Sequence, residues 1–369
     1  MKQIRVLQLV SPIFGGIESY VFSHYQFMDR EKFHFDFLTR NKELESAEQY
    51  RQFHYGVHLL RKTAEQDRAL FARQMRELFS SGYDVLHLNT SFWTGFLLEE
   101  LAKEAGIRKV IVHSHASFID ESDDEKRAQL LRRHEEVKRA FTPDLATDFW
   151  ACSWKAADWL FGPQISRDQI RIMKNAIEIE KYQFDSRKRE RVRDELGVGD
   201  AVVLGTAGRL AYSKNQSFLI DVFANFYRSH PNSRLMILGD GELRGELEEQ
   251  IRKSGLENAV VLLGWRNNAE DYLQAMDIFL LPSRFEALGI AVVEAAAAGL
   301  PCLVSDQAPK EVAFTEHVRH LPLEIPAWTA ALEEASQLRF DRRDGAEAVR
   351  AAGYDIKRQA KVLEALYEQ

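Results

Sequence analysis

Short apolar runs alternate along the chain with longer stretches in which apolar and polar positions are mixed. The runs are hydrophobic without alternation, which is typical of strands buried on both faces of a parallel sheet. The mixed stretches have the apolar spacing of amphipathic helices, as in the segment 218–226. The predicted strands are residues 6–10, 35–39, 85–89, 110–115, 149–153, 202–208, 235–239, 260–264, 278–283 and 302–306. This pattern predicts an α/β protein.

The alternation of strand and helix occurs twice, separated by a polar stretch near residues 176–200. It predicts two doubly wound domains, 1–180 and 181–352, which suits a length of 369 residues at roughly 150 residues per domain. Five basic residues between 187 and 193 are interpreted as a solvated helix face. A last helix, in residues 353–369, has one apolar face and could pack on either domain.

Composition narrows the function classes. The net charge is −7 and neither half of the chain is basic, which argues against a broad nucleic-acid-binding face. Cys152 and Cys302 lie in apolar runs and are expected to be buried thiols in a reducing compartment. No apolar stretch approaches the ~18 residues that span a bilayer, and the first residues lack a signal-peptide pattern. We therefore expect a cytoplasmic protein.

Two loops at predicted strand ends are suited to phosphate. Ligands of open α/β sheets bind beyond the carboxyl ends of the strands. After the first strand, Gly15 and Gly16 would let a substrate approach the backbone at a helix start. After the strand at 202–208, Arg209 and Lys214 provide two cations, which suit a diphosphate.

A third loop, after the strand at 278–283, has two glutamates. Glu286 lies before a predicted helix and Glu294 lies about one turn inside it. The segment around Glu294 is otherwise apolar or glycine, so an unpartnered carboxylate there would be costly and we expect a hydrogen-bonding partner. The first amides of this helix could bind an anion. They belong to Leu288, Gly289 and Ile290.

Two other motifs are weaker indications of a functional site than these three loops. The glycines at 239, 241 and 245 resemble a dinucleotide fingerprint, but the third is one residue late. Asp240 and Glu242 would also repel a pyrophosphate, so we reject a dehydrogenase site. His113 and His115 end a predicted strand and are interpreted as hydrogen-bonding groups of a ligand pocket. No third metal ligand is evident beside them.

The spacing of Glu286 and Glu294 matches the E-x7-E motif of retaining GT-B glycosyltransferases. The segment PSRFEALGIAVVEAAAAGLP resembles glycosyltransferase family four, in particular its capsule and exopolysaccharide branch. Further similar segments, in order, are GGIE, HSHAS, KNAIE, GRLAYSKN, GDGELR, LLGWRNN and SDQAPKEV. The resemblance therefore extends along nearly the whole chain.

The resemblance implies two Rossmann-like domains facing a central cleft. Residues 1–180 would bind the acceptor and 181–352 the nucleotide-sugar donor, while the helix in 353–369 would cross back to the N-terminal domain. The implied activity is retaining transfer of a sugar from a nucleotide diphosphate to a glycan or lipid-linked acceptor in cell-surface polysaccharide synthesis. A UDP-sugar is the expected donor, and neither a metal nor another cofactor is required.

The resemblance also implies roles for individual residues. Arg209 and Lys214 would hold the diphosphate, and the amides of 288–290 its distal phosphate. Glu294 would bind the ribose and Glu286 the hydroxyls of the transferred sugar. The remaining implied contacts are His115 with the reacting sugar, Gly16 with phosphate or acceptor, and Trp265 and Arg266 with the base.

Two other enzyme classes and a non-catalytic binding protein remain as alternative functions. A GT-B-shaped epimerase would need acid and base carboxylates at C2 of the sugar, and a phosphorylase would need a cofactor lysine or a phosphate site. A non-catalytic nucleotide-sugar-binding protein would be expected to have lost one of Arg209, Lys214, Glu286 and Glu294, and all are present. Basic residues between 126 and 139 could contact the inner face of a membrane, but interleaved acids favour a solvated helix.

Overall fold

The structure, a computed structural model, describes residues 3–10, 16–42, 44, 53–338 and 341–369. The chain divides into two compact units. The first contains the chain up to residue 119, residues 123–176 and the final segment 356–369. The second contains residues 120–122 and 177–355. Each unit has one parallel sheet, which confirms the predicted α/β class with two Rossmann-like domains.

The sheet of the first unit has seven strands. They are β1 (Ile4–Leu9), β2 (Phe33–Thr39), β3 (Gly56–Leu59), β4 (Val85–Thr90), β5 (Lys109–Ser114), β6 (Asp148–Ala151) and β7 (Ile170–Ile172). Their order in the sheet is β3-β2-β1-β4-β5-β6-β7, so the direction of winding reverses between β1 and β4. The helices are α1 (Gly16–Phe27), α2 (Arg68–Phe79), α3 (Leu97–Glu104), α4 (Asp124–Ala140) and α5 (Trp154–Leu160).

The second unit begins with α6 (Ile179–Tyr182) and α7 (Ser186–Glu195). Its strands are β8 (Val202–Ala207), β9 (Ser233–Leu238), β10 (Val260–Gly264), β11 (Ile278–Leu281), β12 (Cys302–Ser305) and β13 (Val318–Leu321). They lie in the order β10-β9-β8-β11-β12-β13. The remaining helices of this unit are α8 (Gln216–Ser229), α9 (Arg244–Lys253), α10 (Ala269–Ala275), α11 (Ile290–Ala297), α12 (Ile325–Ser336) and α13 (Gly345–Ala351).

All ten predicted strands are present, and three further strands were missed: β3, β7 and β13. Each of the three lies at an edge of its sheet. An edge strand is covered less completely than a central one, so its sequence need not be uniformly apolar. Arg171 and Arg319 interrupt β7 and β13, and both side chains are exposed or partly exposed. The apolar-run criterion therefore found the central strands and passed over these edges.

The last helix, α14 (Ile356–Glu368), packs on the first unit. Its apolar face is buried in the same core as β1 and β2, and Tyr367 is fully buried there. The end of the helix is also tied by polar contacts. The Lys109 ammonium donates to the carbonyl of Leu366 at 2.7 Å, and the Asp29 amide donates to the Glu364 carboxylate at 2.7 Å. The first unit is thus built from both ends of the chain.

The basic run in α7 is only in part the solvated face that the sequence suggests. Arg193 is buried and donates to backbone carbonyls at residues 199, 201 and 275. Arg189 donates to Asp277 at 2.6 Å, and Arg191 to Asp271 at 2.7 Å. The solvated interpretation is therefore wrong for Arg189 and Arg193, which fasten α7 to α10 and its following turn, whereas the side chain of Arg191 is half-exposed. Arg187 is exposed, as expected.

Cys152 and Cys302 are buried thiols outside any disulfide, as expected. The basic residues of α4 are largely engaged with neighbouring groups. Arg127 pairs with Asp124, Arg133 donates to the carbonyl of Thr94 and Lys138 to the carbonyl of Asp158. Lys126, Arg132, Arg133 and Arg139 are exposed, which agrees with the interpretation of α4 as a solvated helix.

Candidate functional site

Two loops of the second unit meet at the point where its strand order reverses. β8 and β11 are neighbours, and chain winding proceeds outward from them in opposite directions. Loops that leave the carboxyl ends of such neighbouring strands diverge and form a crevice. Arg209 and Lys214 follow β8, and Glu286 follows β11. The sheet topology therefore brings these predicted site residues to one edge.

Lys214 and Glu286 form a direct ion pair between Nζ and Oε1. The Ser283 hydroxyl donates to the same Oε1 at 2.8 Å, and the carbonyl of Ser283 accepts a hydrogen bond from the Ser305 hydroxyl at 2.6 Å. Glu286 is 7% exposed, so its charge is removed from bulk water and depends on these partners. The lysine thus neutralises a buried carboxylate in this state of the protein.

Arg209 lies at the rim of the same edge, with its side chain half-exposed. Its guanidinium donates to Asp120 at 2.6 Å and lies 3.9 Å from Glu242. Asp120 belongs to the second unit by its contacts and also accepts hydrogen bonds from the amide and hydroxyl of Ser213. Exposed ion pairs are worth little, about 0–1 kcal/mol, so an anionic ligand can replace the Arg209 pair at low cost.

Asn215 links the loop after β8 to the loop after β11, and sequence reasoning missed it. Its backbone is left-handed, with φ of +56°, and its side-chain amide donates to the carbonyl of Pro282 at 3.1 Å. Asparagine tolerates this conformation better than most residues. The available signal was an asparagine directly before the start of α8, which is a favoured position for this residue type.

The glycines after β9 are required by close backbone packing. A Cβ at Gly239 would lie 2.0 Å from the carbonyl oxygen of Gly208, and one at Gly241 would lie 2.4 Å from that of Leu210. The amide of Leu210 donates to the carbonyl of Asp240 at 3.0 Å. These glycines therefore support the loop that holds Arg209, which explains them without a dinucleotide fingerprint.

Helix α11 begins at the same edge with no side-chain cap among the described residues. Gly289, at its N-cap, has φ of +86° and ψ of +56°, a conformation that favours glycine. Leu288 and Ile290 flank Gly289, directly after the loop that contains Glu286. Uncapped first-turn amides and the helix dipole favour an anion here.

Glu294, one turn into α11, has the partner that its apolar surroundings required. The Tyr182 hydroxyl donates to Oε1 of Glu294 at 2.9 Å. Burial raises the pKa of Glu294 to about 7, and the hydrogen bond from Tyr182 opposes this shift. The expectation of a bonding partner is confirmed. Tyr182 itself could not be identified from the sequence, since it lies in α6, 112 residues away.

Trp265 and Arg266 follow β10 at the outer side of this unit. The Trp265 side chain is 63% exposed, and its indole N–H donates to Asn267 at 3.1 Å. The Arg266 guanidinium lies 5.7 Å from the centre of the Tyr272 ring. The amide of Gly239 donates to the carbonyl of Gly264 at 2.9 Å, so this segment is fixed to the glycine loop. An exposed indole has a flat apolar face on which a planar ligand can stack.

The other two predicted site residues belong to the first unit. Gly16 begins α1 and is exposed, whereas the preceding residues 11–15, with Gly15, lie outside the described residues. His115 follows β5 and is half-buried, and its Nε2 lies 3.0 Å from Oδ1 of Asn89. Burial lowers the pKa of His115 to about 3, so the imidazole is neutral at physiological pH.

Within residues 3–10, 16–42, 44, 53–338 and 341–369, no group of three or more His, Cys, Asp or Glu side chains is arranged to hold a metal ion. In the same ranges, no helix has the length and apolar character needed to cross a bilayer.

Comparison with known families supports a transferase. Residues 14–181 match the model described as Glycosyltransferase Family 4, and residues 188–352 match that of Glycosyl transferases group 1. EpsF of Bacillus subtilis (strain 168), whose name assigns it to the glycosyltransferases, is 29% identical over 99% of this chain and 97% of its own length. The UDP-Gal:α-D-GlcNAc-diphosphoundecaprenol α-1,3-galactosyltransferase of Escherichia coli is 30% identical over 61% of this chain and 58% of its own.

Solved structures share the fold. Alr3699/HepE of Anabaena, crystallised with UDP and glucose, has a TM-score of 0.75 over the full length of both chains at 20% identity. A glycosyltransferase from Rickettsia africae has a TM-score of 0.79 over all of this chain and 98% of its own at 14% identity. The two matched models and the shared architecture identify the chain as a glycosyltransferase of the GT-B fold, similar to family four.

Proposed function

We propose that the protein is a retaining, metal-independent glycosyltransferase that transfers a sugar from a UDP-sugar to a glycan or lipid-linked acceptor of a cell-surface polysaccharide. The observation that carries the proposal is the grouping of Lys214, Glu286 and the α11 start where the strand order reverses. The structural relative from Anabaena holds UDP and glucose, and the relative from Escherichia coli is named for a UDP-sugar donor and a lipid-diphosphate acceptor.

The donor would exchange partners with the Lys214–Glu286 pair. Lys214 would turn from the carboxylate to the diphosphate, and Glu286 would accept hydrogen bonds from hydroxyls of the transferred sugar. Both charges keep a partner after this exchange, so neither remains buried alone. The existing pair thus holds the two side chains in place until the donor arrives.

Charge on the leaving diphosphate would be stabilised by the protein alone. Negative charge develops on the outer phosphate as the sugar becomes oxocarbenium-like. Arg209, Lys214 and the amides at 288–290 supply preorganised positive groups for it. Losing one such group should cost ~10²–10³ in rate, by analogy with oxyanion-hole donors. No divalent metal is needed for this stabilisation.

The nucleoside would lie along α11 and the end of β10. Glu294, held by Tyr182, would accept hydrogen bonds from the ribose hydroxyls, and the segment at Trp265 and Arg266 would contact the base. In the first unit, His115 would bind the reacting sugar and the backbone at Gly16 would approach phosphate or acceptor. Retention would follow from front-face attack by the acceptor, which requires no protein nucleophile.

Calorimetric titration with UDP-, GDP- and ADP-sugars in the presence of EDTA tests the donor site. We expect binding of a UDP-sugar that is lost in Glu294→Ala and strongly weakened in Arg209→Ala. Arg187→Ala is the matched control, because Arg187 is an exposed arginine of α7 and belongs to none of these loops. Absence of binding to every nucleotide sugar would contradict the proposal, and an inverted anomeric centre in the product would contradict retention alone.

A further inference from the structure

A chain of buried side-chain hydrogen bonds in the first unit begins at Asn89. Its Nδ2 donates to the backbone carbonyl of Leu9 at 3.0 Å and to Oε1 of Gln8 at 3.0 Å. A carbonyl oxygen can only accept, so the NH2 group of Asn89 must face Leu9, and its Oδ1 must face His115. That oxygen accepts from Nε2 of His115 at 3.0 Å, so Nε2 carries the proton.

The same chain continues from Gln8 to the last helix. Gln8 uses its oxygen for Asn89 and therefore donates from Nε2 to the hydroxyl of Tyr367 at 2.9 Å. The hydroxyl has a single hydrogen, and Nδ1 of His87, at 2.7 Å, is its other described hydrogen-bonding neighbour. We assign the hydrogen to this contact, because it would otherwise be buried without an acceptor. Neutral His87 must then donate from Nε2 to Nδ1 of His113 at 3.1 Å. Burial lowers the pKa of both imidazoles well below the ordinary value, so each has one ring proton.

Two ring atoms at the end of this network have no partner within the part of the chain that the structure describes. They are Nδ1 of His115 and Nε2 of His113. Because Nε2 of His115 carries the ring proton, its Nδ1 has a lone pair. Because Nδ1 of His113 accepts from His87, its Nε2 carries the proton and is a donor. The two ring centres are 4.0 Å apart. Buried polar atoms without partners are rare in proteins and point to a missing ligand or water.

We propose that Asn89 and Tyr367 are positioning residues that fix the ring protons of His115 and His113, so that this pair of imidazoles binds a sugar hydroxyl. A hydroxyl donates its hydrogen to Nδ1 of His115 and accepts from Nε2–H of His113. A phosphate oxygen has no hydrogen to donate and would face the lone pair of His115. The identification of the hydroxyl with the transferred sugar rests on the proposed function, whereas the ring tautomers do not.

Long-range 1H–15N correlation spectra of the full chain with 15N-labelled histidine test the tautomers directly. We expect the Nε2–H form for His115, His87 and His113. Two other histidines calibrate the assignment through backbone contacts. His134 accepts from the amide of Trp93 at Nδ1 and must be Nε2–H, and His24 donates from Nδ1 to the carbonyl of Tyr20. An Nδ1–H form of His115 in the free protein would overturn the proposal.

Removal of the Tyr367 hydroxyl tests the branch through His87 and His113 separately from the branch through Asn89 and His115. Tyr367→Phe should change the tautomer or broaden the signals of His87 and His113 and leave His115 as Nε2–H. Tyr25→Phe is the matched control, since it removes another buried tyrosine hydroxyl from the same core. Unchanged His87 and His113 signals in Tyr367→Phe would show that the last helix does not set their protons.

Substitution of Asn89 tests the consequence for binding. Asn89→Leu frees the His115 ring, so we expect the affinity for UDP-glucose to fall ~tenfold, the order of one or two lost hydrogen bonds, with the affinity for UDP unchanged. Equal loss for UDP and UDP-glucose would contradict a sugar-hydroxyl role. No binding of either by the unmodified protein would contradict the proposed function and leave the tautomer assignment standing.

Discussion

The hydroxyl of Tyr182 donates a 2.9 Å hydrogen bond to Oε1 of Glu294, and thereby links the short helix α6 to the second turn of α11. Glu294 is surrounded in sequence by apolar residues, and Val293 and Ala297 are fully buried. Burial raises the pKa of Glu294 to about 7, so near neutral pH the group is divided between its protonated and ionised forms. Any ligand that needs the ionised form must therefore compete with a proton.

Binding of a UDP-sugar should depend on pH through Glu294. Hydrogen bonds from ribose hydroxyls favour the carboxylate, so the affinity for UDP-glucose should be constant above a pH of about 7 and fall up to ~tenfold per unit below it. UDP-glucose is the suitable probe because its diphosphate does not titrate in this range. Isothermal titration between about pH 5.5 and pH 8 measures the effect. In Glu294→Gln the dependence should disappear, and if it persists another group is responsible.

Stability of the free protein should change with pH in the opposite sense. The pKa of Glu294 is raised on folding, so its contribution to stability is present at low pH and is lost as the pH rises toward about 7. Glu294→Gln removes this loss and can still accept from Tyr182. It should therefore stabilise the second unit by roughly 1–3 kcal/mol at about pH 8 and by little at about pH 4. Urea unfolding at both pH values measures this, and equal effects at the two would contradict the raised pKa.

The pair of Lys214 and Glu286 should show strong coupling in a double-mutant cycle. Lys214→Met leaves the buried carboxylate with Ser283 as its remaining described partner and should cost about 2–3 kcal/mol, since the lysine is partly exposed. Combining it with Glu286→Gln removes the unpaired charge and should restore most of the stability. Thermal unfolding of the wild type, two single variants and the double variant gives the coupling energy. Additive losses would mean that the pair contributes nothing.

Gly239 should tolerate no side chain. Its hypothetical Cβ lies 2.0 Å from the carbonyl oxygen of Gly208, and its φ of +122° is unfavourable for other residues. Gly239→Ala should therefore destabilise the second unit by more than ~2 kcal/mol and disturb the loop of Arg209. Gly245→Ala is the control, since nothing lies within 4 Å of its Cβ position at the start of α9. It should be neutral or slightly stabilising, so similar losses in both variants would contradict a steric cause.

Much of the architecture could be predicted from local pattern. Uninterrupted apolar runs identified all nine central strands and the edge strand β10, and the loops at their carboxyl ends contained the residues that the structure groups at one edge of the second sheet. The exposed and interrupted strands β7 and β13 could not be found in this way, because partial burial leaves only a weak apolar signal. The basic run of α7 was misread for a related reason. Arg189 and Arg193 bind backbone carbonyls, and sequence does not show which carbonyls lie nearby.

The sequence by itself determined where strands and helices form and which loops carry charge, because hydrophobic periodicity and glycine placement act over a few residues. Only the tertiary structure decided the partners of the functional groups. Tyr182 meets Glu294 across 112 residues, and Tyr367 meets His87 across 280. Such pairs depend on how whole elements pack, so the protonation of Glu294 and the ring protons of the histidines are properties of the fold rather than of any local segment.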